Sequence, residues 1–266
     1  MPLAVCATPI GNLEDVTLRV LAELRAADVV LCEDTRHTRT LLERHGIEAR
    51  LLSYHEHNEA ARTAELLPRL EAGERVALVS DAGLPGINDP GARLVRAALD
   101  AGVELTVLPG ASAVETALVS SGLAAGRYTF LGFLPRKQGE RLALWRETAR
   151  WAWPVVAFES PRRLPASLGS LAAFDPGRRV AVCRELTKRF EEVVRGSAAE
   201  LAVRFAEPPK GEITVVVGPG SDEPGSGAAR AAVAELIEAG TPRRVAADVV
   251  ARLTAGSRNE LYRGSL

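Results

Sequence analysis

Lysine is nearly missing from this chain: only Lys137, Lys188 and Lys210 stand among 33 basic side chains, the rest being arginine. A coding bias toward arginine explains the background. The two residues are not equivalent, however, because lysine is a compact charge with a movable pKa and arginine a fixed planar cation. Each surviving lysine is therefore a candidate for a position where arginine does not serve. Asparagine is scarce in the same way, and Asn12, Asn58, Asn88 and Asn259 each lie in a loop-like or polar motif. Cysteine stops at Cys6, Cys32 and Cys183. An odd number in apolar strand-like contexts, without metal-type spacing, points to buried reduced thiols and a cytoplasmic protein, with no metal site expected. No apolar run reaches the roughly 18 residues a membrane span needs, so no membrane partner is expected. The start, Met1-Pro2-Leu3-Ala4-Val5-Cys6, lacks a basic segment and runs directly into a strand, so no signal peptide is expected.

What is present is ordinary globular material, with 47% hydrophobic and 25% charged residues in 266. That length supports one large core or two medium ones. The net charge of −1 hides an uneven distribution. Residues 1–100 carry 16 acidic side chains against 11 arginines, whereas 126–163 carry eight basic residues against three glutamates. An anionic partner should meet the second stretch.

The first 120 residues alternate strand-like runs with amphipathic segments. Leu3–Ala7, Val29–Cys32, Arg50–Tyr54, Arg75–Val79 and Glu104–Leu108 read as strands. Thr17–Ala26, Thr35–His45, Asn58–Glu71, Gly91–Ala101 and Ala111–Ser121 read as helices. That spacing predicts right-handed βαβ units and a parallel sheet covered on both faces. Beyond Tyr128 the texture changes. Tyr128–Leu134, Pro154–Phe158, Val180–Glu185, Glu191–Arg195 and Glu212–Gly218 look like strands, with a hairpin around Thr187–Phe190, so the second sheet should be mixed. The expected organisation is an N-terminal α/β domain over 1–111, a C-terminal α/β domain over 112–218, a Gly/Pro/Ser-rich linker over 219–227 and a helical tail over 228–266. The tail offers helices at Ala228–Ala239 and Arg243–Thr254 and a third starting near Ser257; alone it is too short for a robust core.

Ligands of open α/β sheets bind beyond the carboxyl ends of the strands. Three unusual turns sit there: Thr8-Pro9-Ile10-Gly11-Asn12-Leu13 after the first strand, Ser80 to Gly91 after the fourth, and Leu108-Pro109-Gly110-Ala111-Ser112 after the fifth. The middle one holds three glycines, two prolines and two aspartates in twelve residues, more than a simple turn requires. Neither the G-x-G-x-x-G fingerprint nor a phosphate-binding P-loop is present, which argues against dinucleotides and nucleoside triphosphates. Backbone-rich, proline-rich loops suit a nucleoside-like, partly cationic molecule such as S-adenosylmethionine.

The motifs also carry a family resemblance. Thr8–Leu13 with Glu14-Asp15, Cys32-Glu33-Asp34-Thr35-Arg36, His55-Glu56-His57-Asn58-Glu59 and Ser80–Gly91 resemble signatures of the ribosomal RNA small subunit methyltransferase I family. So do Gly132-Phe133-Leu134-Pro135-Arg136-Lys137, Phe158-Glu159-Ser160-Pro161, Arg184-Glu185-Leu186-Thr187-Lys188 and Lys210-Gly211-Glu212, in the expected order, and the Asn259-Glu260-Leu261-Tyr262 segment of the tail. The resemblance implies the tetrapyrrole-methylase fold, a homodimer, S-adenosylmethionine as cofactor, and 2′-O-methylation of a decoding-centre cytidine in the 16S rRNA of the small ribosomal subunit. Leu84 stands where the family usually has threonine and Phe158 where tyrosine is frequent, which puts hydroxyl contacts there in doubt. All three lysines fall inside these motifs.

By analogy within that fold, the expected cofactor-binding residues are Pro9, Ser80, Asp81, Ala82, Gly83, Ile87, Ser112, Ala113, Phe158, Leu186, Glu212 and Ile213. A ribose hydroxyl is a poor nucleophile when neutral, so a base or a nearby cation should assist. Asp34 or His55 is expected to take the proton, and Lys188 or Lys210 to stabilise the alkoxide. RNA contacts are expected from Arg136, Lys137, Arg141, Arg162 and Arg163, with the tail arginines. Two other readings stay open: methylation of a corrin or porphyrin precursor on the same fold, and a non-catalytic RNA-binding factor of ribosome assembly.

Overall fold

The computed structural model describes residues 2–220, 226–254 and 258–263. It forms two compact units, one of residues 1–117 with 184–192 and one of 118–183 with 193–266. The first unit holds β1 (Leu3–Cys6), α1 (Leu18–Ala26), β2 (Val29–Cys32), α2 (Thr35–Arg44), β3 (Leu51–Ser53), α3 (Glu59–Glu71), β4 (Val76–Val79), α4 (Ala92–Asp100), β5 (Leu105–Leu108) and the start of α5 (Ala113–Ser121).

Its five strands are ordered β3-β2-β4-β1-β5, every pair parallel. Alternation along the strands decides which helices cover which face. Leu3, Val5, Val29, Leu31, Val76 and Leu78 point to one side and pack with Leu66, Leu70, Leu94 and Ala98 of α3 and α4. Ala4, Cys6, Val30, Cys32, Ala77 and Val79 point to the other and meet Val20, Leu21, Leu24 and Leu42 of α1 and α2. The parallel sheet covered on both faces is therefore as the strand spacing predicts. Cys6 and Cys32 sit in this second layer, where burial pushes the Cys6 thiol up to about 12 and raises that of Cys32 as well.

The chain leaves β1 toward β2 and leaves β4 toward β5, so connections diverge from adjacent strands. Such a divergence opens a crevice at the carboxyl edge. The candidate site lies at that edge.

The second unit continues with β6 (Thr129–Phe133), α6 (Gln138–Thr148), β7 (Val155–Glu159), α7 (Leu164–Phe174), β8 (Arg179–Arg184), β9 (Glu192–Ser197), α8 (Ala198–Arg204) and β10 (Ile213–Val217). Its sheet runs β6-β7-β10-β8-β9 and is mixed, β6 and β7 being parallel and β7 and β10 antiparallel. Trp145, Leu164, Leu168, Leu171, Leu201 and Phe205 from α6, α7 and the end of α8 pack on Val155, Ala157, Val182 and Val215. Those three helices were not foreseen from the sequence. In the tail, α9 (Ser226–Glu238), α10 (Arg243–Thr254) and α11 (Arg258–Arg263) bury Val233, Ala246, Ala247, Val250 and Leu261 together. The expected linker over 219–227 falls largely outside the described residues, as does Ser257. Among the described residues no helix is long and apolar enough to cross a membrane.

Candidate functional site

The turns after β1, β4 and β5 are stitched into one shelf. Thr8 and Gly83 form an antiparallel bridge, with the Thr8 N–H donating to the Gly83 carbonyl at 2.8 Å and the Gly83 N–H returning to the Thr8 carbonyl at 3.1 Å. The Thr8 hydroxyl donates to the Ser80 carbonyl at 3.0 Å, and the Ser80 hydroxyl to the Gly83 carbonyl at 3.0 Å. Gly83 adopts φ +77°, a left-handed conformation that favours glycine. At Gly110 a Cβ would sit 2.9 Å from the Cβ of Ala7, so the third turn lies flat on the first only without a side chain. Pro9, Ser80 and Gly83 are buried and Ala82 and Ile87 are exposed, while Ser112 is half-buried and its hydroxyl is turned to Glu115 at the start of α5. Leu84, where a threonine hydroxyl is usual, packs against the α3/α4 layer instead.

The segment between β8 and β9 belongs to the same unit. Gly11 admits it: a Cβ there would lie 2.5 Å from Lys188 Cγ and 2.7 Å from the Leu186 carbonyl oxygen. The Asn12 N–H donates to Thr187 Oγ1 at 2.9 Å, Leu186 is buried, and Lys188 Nζ pairs with Glu185 at 3.2 Å.

Carboxylates crowd this edge. The Asp34 N–H donates to Asp81 Oδ1 at 3.2 Å, and His37 Nδ1 stands 3.9 Å from the same oxygen. Asp34 caps α2 through the Arg36 N–H and takes both Nε and Nη2 of Arg36, at 3.1 and 2.7 Å. That arginine holds its carboxyl far below the usual range, so Asp34 is a poor proton acceptor. Glu33 is raised by partial burial and by Asp81. Asp89 is raised to about 6 by burial, then by Glu33 and Asp81. Asp89 lies in the Ser80–Gly91 loop that the sequence singles out, but it is not among the residues expected there to take the proton. Its neighbours are fixed in unusual conformations, Asn88 at φ +60° and Gly91 at φ +137°. Glu59 Oε1 moors this end of the loop by accepting from the Gly91 N–H at 3.1 Å and from the Tyr54 hydroxyl at 3.2 Å.

His55 is arranged by Asn58, whose Oδ1 accepts the His55 N–H at 2.9 Å and whose Nδ2 lies 3.2 Å from His55 Nε2. Among the described residues the buried His55 Nδ1 has no hydrogen-bond partner.

The remaining expected residues lie in the second unit. Phe158 on β7 packs edge-on between Phe130 and Phe133, at centroid distances of 5.0 and 5.6 Å. It pairs in register with Thr214, next to Ile213, and the exposed Glu212 precedes β10. Lys210 is exposed just before it. The five basic residues divide. Arg136, Lys137 and Arg162 are exposed. Arg141 is 7% exposed and clamps the carbonyls of Pro135 and Arg136 at 3.1 and 2.7 Å. Arg163 ties Glu159 at 2.5 Å to the Leu134 carbonyl at 3.0 Å. The last two hold the loop that displays Arg136 and Lys137, and their guanidinium groups are committed to the fold.

Residues 2–202 match the family described as Tetrapyrrole (Corrin/Porphyrin) Methylases. The chain is 45% identical over 264 residues to "Ribosomal RNA small subunit methyltransferase I" of Mesorhizobium japonicum, covering 98% of this chain and 90% of that protein. It is 46% identical over 264 residues to the Mycobacterium bovis protein of the same name, covering 98% and 93%. Among solved structures it is similar to the methyltransferase CobJ, with a TM-score of 0.63 and 21% identity over 83% of this chain and 95% of that one.

Proposed function

The chain belongs to the ribosomal RNA small subunit methyltransferase I family of tetrapyrrole methylases, and from that premise we propose that it is an S-adenosylmethionine-dependent methyltransferase of 16S rRNA, modifying the 2′-hydroxyl of a decoding-centre cytidine. One observation carries the reading: three strand-end turns packed backbone against backbone through Thr8, Gly83 and Gly110, rimmed by Glu33, Asp81 and Asp89. The backbone surface fits a flat nucleoside, and the carboxylates fit a ligand bearing a sulfonium and an ammonium group. Bound there, the cofactor supplies an electrophilic methyl group on a positively charged sulfur.

The protein's contribution is alignment and proton removal. Holding nucleophile and methyl carbon in line is worth about 7–11 kcal/mol of a barrier. Attack by the ribose oxygen on that methyl group would require the 2′-hydroxyl proton to leave, and residues of this chain must accept it. Asp89, held near 6, suits that task better than Asp34, which Arg36 pins as a weakly basic carboxylate. His55 is the second acceptor at this edge. Lys188, placed by Gly11 and Glu185, supplies positive charge beside the turn after β1, and Lys210 is the other cation proposed for the alkoxide. Within the first unit, Pro9, Ser80 to Gly83, Ile87, Ser112, Ala113 and Leu186 are the residues proposed to meet the cofactor.

The RNA is met by Arg136 and Lys137, displayed on the loop that Arg141 and Arg163 clamp, and by Arg162 in the turn after β7. Taking away one cation that neutralises a phosphate should flatten the salt dependence of binding by about one ion. Arg136→Gln, Lys137→Gln or Arg162→Gln is therefore expected to weaken 30S binding and reduce that slope when affinity is titrated against salt. Arg141→Gln should instead act through stability. A slope unchanged in all three exposed variants removes these residues from the interface. The working form is a homodimer in the cytoplasm; edge strand β5 carries Val107 at 50% exposure, apolar surface of the kind a second copy covers.

Calorimetry with S-adenosylmethionine, followed by labelled-methyl transfer to 30S subunits or to a tetrapyrrole, tests the assignment. Donor binding with label in the 30S fraction supports it. Label in the tetrapyrrole alone, or a protein that ignores the donor, overturns it.

A further inference from the structure

We propose that Phe190, at the tip between β8 and β9, is a stacking platform for an unpaired base of the RNA substrate, with Arg189 on an adjoining phosphate. The inference rests on the proposed action on RNA and adds to it a base contact from outside the basic loop.

The tip is rigid. Glu185 and Thr187 hold φ of +53° and +63°, unusual for residues other than glycine, so the surrounding bonds must fix them. The Thr187 N–H donates to Glu191 Oε2 at 2.6 Å, the Lys188 N–H to the Glu185 carbonyl at 3.0 Å, and the Glu191 N–H to the Lys188 carbonyl at 3.1 Å. Leu186 is buried, and the Asn12 N–H donates to the Thr187 hydroxyl, seating the tip against the turn that follows β1. The tip therefore stands at the rim of the methyl-transfer shelf.

What this pinned turn presents outward is an aromatic ring and a cation. Phe190 is 66% exposed, and the Arg189 guanidinium lies 5.5 Å from its ring centroid. The carboxylates of the tip are turned to other work, Glu185 to Lys188, Glu191 to the Thr187 N–H and Glu192 to Arg184. Two of these three carboxylates are thereby balanced by cations. Splayed bases of single-stranded RNA are held by aromatic faces and arginine planes, and a turn whose backbone is pinned before binding spends less entropy on presenting such a ring.

Loss of one stacked base lowers affinity by about 5- to 150-fold. Phe190→Ala should therefore raise KM for 30S subunits about tenfold or more, with kcat at saturating subunits and calorimetric donor affinity unchanged. Phe190→Trp should restore KM, and Arg189→Gln should weaken binding with a shallower salt slope. Unchanged KM in Phe190→Ala, beside a wild type that methylates normally, overturns the stacking alone. A Phe190→Ala defect that tracks a shift in oligomeric state by ultracentrifugation overturns it in favour of a contact with a second copy. A wild type that neither binds nor methylates the subunits overturns the RNA reading and this inference with it.

Discussion

Asp89→Asn is expected to lower kcat/KM for methyl transfer by about 10²- to 10⁴-fold, the usual range for removing a general base. The wild-type acid limb, placed near pH 6 by the raised Asp89 carboxyl, should vanish with it. The same substitution is expected to make the protein more stable. Asp89 is raised in the folded state, so its favourable contribution is complete only below its ordinary value of about 3.9 and is lost as pH rises through about 6. Above pH 7 the half-buried carboxylate should cost the fold on the order of 2 kcal/mol, which an amide avoids. The midpoints of thermal unfolding should therefore coincide near pH 4 and separate toward pH 8, the variant being higher. A merely structural aspartate would lose stability and activity together. Activity retained in the variant excludes Asp89 as the base.

Glu159→Ala should produce the largest loss of stability. This buried carboxylate takes the Ser160 N–H at 2.7 Å, the Ser167 hydroxyl at 2.5 Å and the Arg163 guanidinium at 2.5 Å. Removing one partner of a buried pair typically costs about 3–5 kcal/mol, because the other charge is left uncompensated. Arg163 also reaches the Leu134 carbonyl, so the loop carrying Arg136 and Lys137 should loosen as well. Denaturant unfolding followed by tryptophan fluorescence reads this through Trp145, which packs in the same core. An unchanged midpoint would mean that the Glu159 network does not hold the second unit.

These two carboxylates mark what was legible in the sequence and what was not. The parallel sheet could be read because β1, β2 and β4 are short apolar runs separated by amphipathic segments, and burial on both faces demands that pattern. The shelf was legible in outline, since proline and glycine at three strand ends announce backbone brought close to a ligand. The helices of the second unit were not. In α7, Leu164-Pro165-Ala166-Ser167-Leu168-Gly169-Ser170-Leu171 mixes helix formers with residues that usually break helices, and tertiary burial of its leucines overrides that weak propensity. The start of α8 did carry a signal in Ser197 and Glu200, a reciprocal cap closed in the structure. Charge counting ranked Arg141 and Arg163 with Arg136, because a sequence does not say which guanidinium is consumed by carbonyls and a buried glutamate. The role of Asp89 was not legible because its raised pKa comes from burial and from Glu33 and Asp81, and Glu33 is brought near only once β2 and β4 pair.

Nucleoside mass spectrometry of 16S rRNA, after unmodified 30S subunits are incubated with the protein and isotopically labelled S-adenosylmethionine, reads the outcome directly. The label is expected in a single 2′-O-methylcytidine from the decoding centre. Label on a nucleobase, or none in the RNA while the protein binds the donor, would contradict the account.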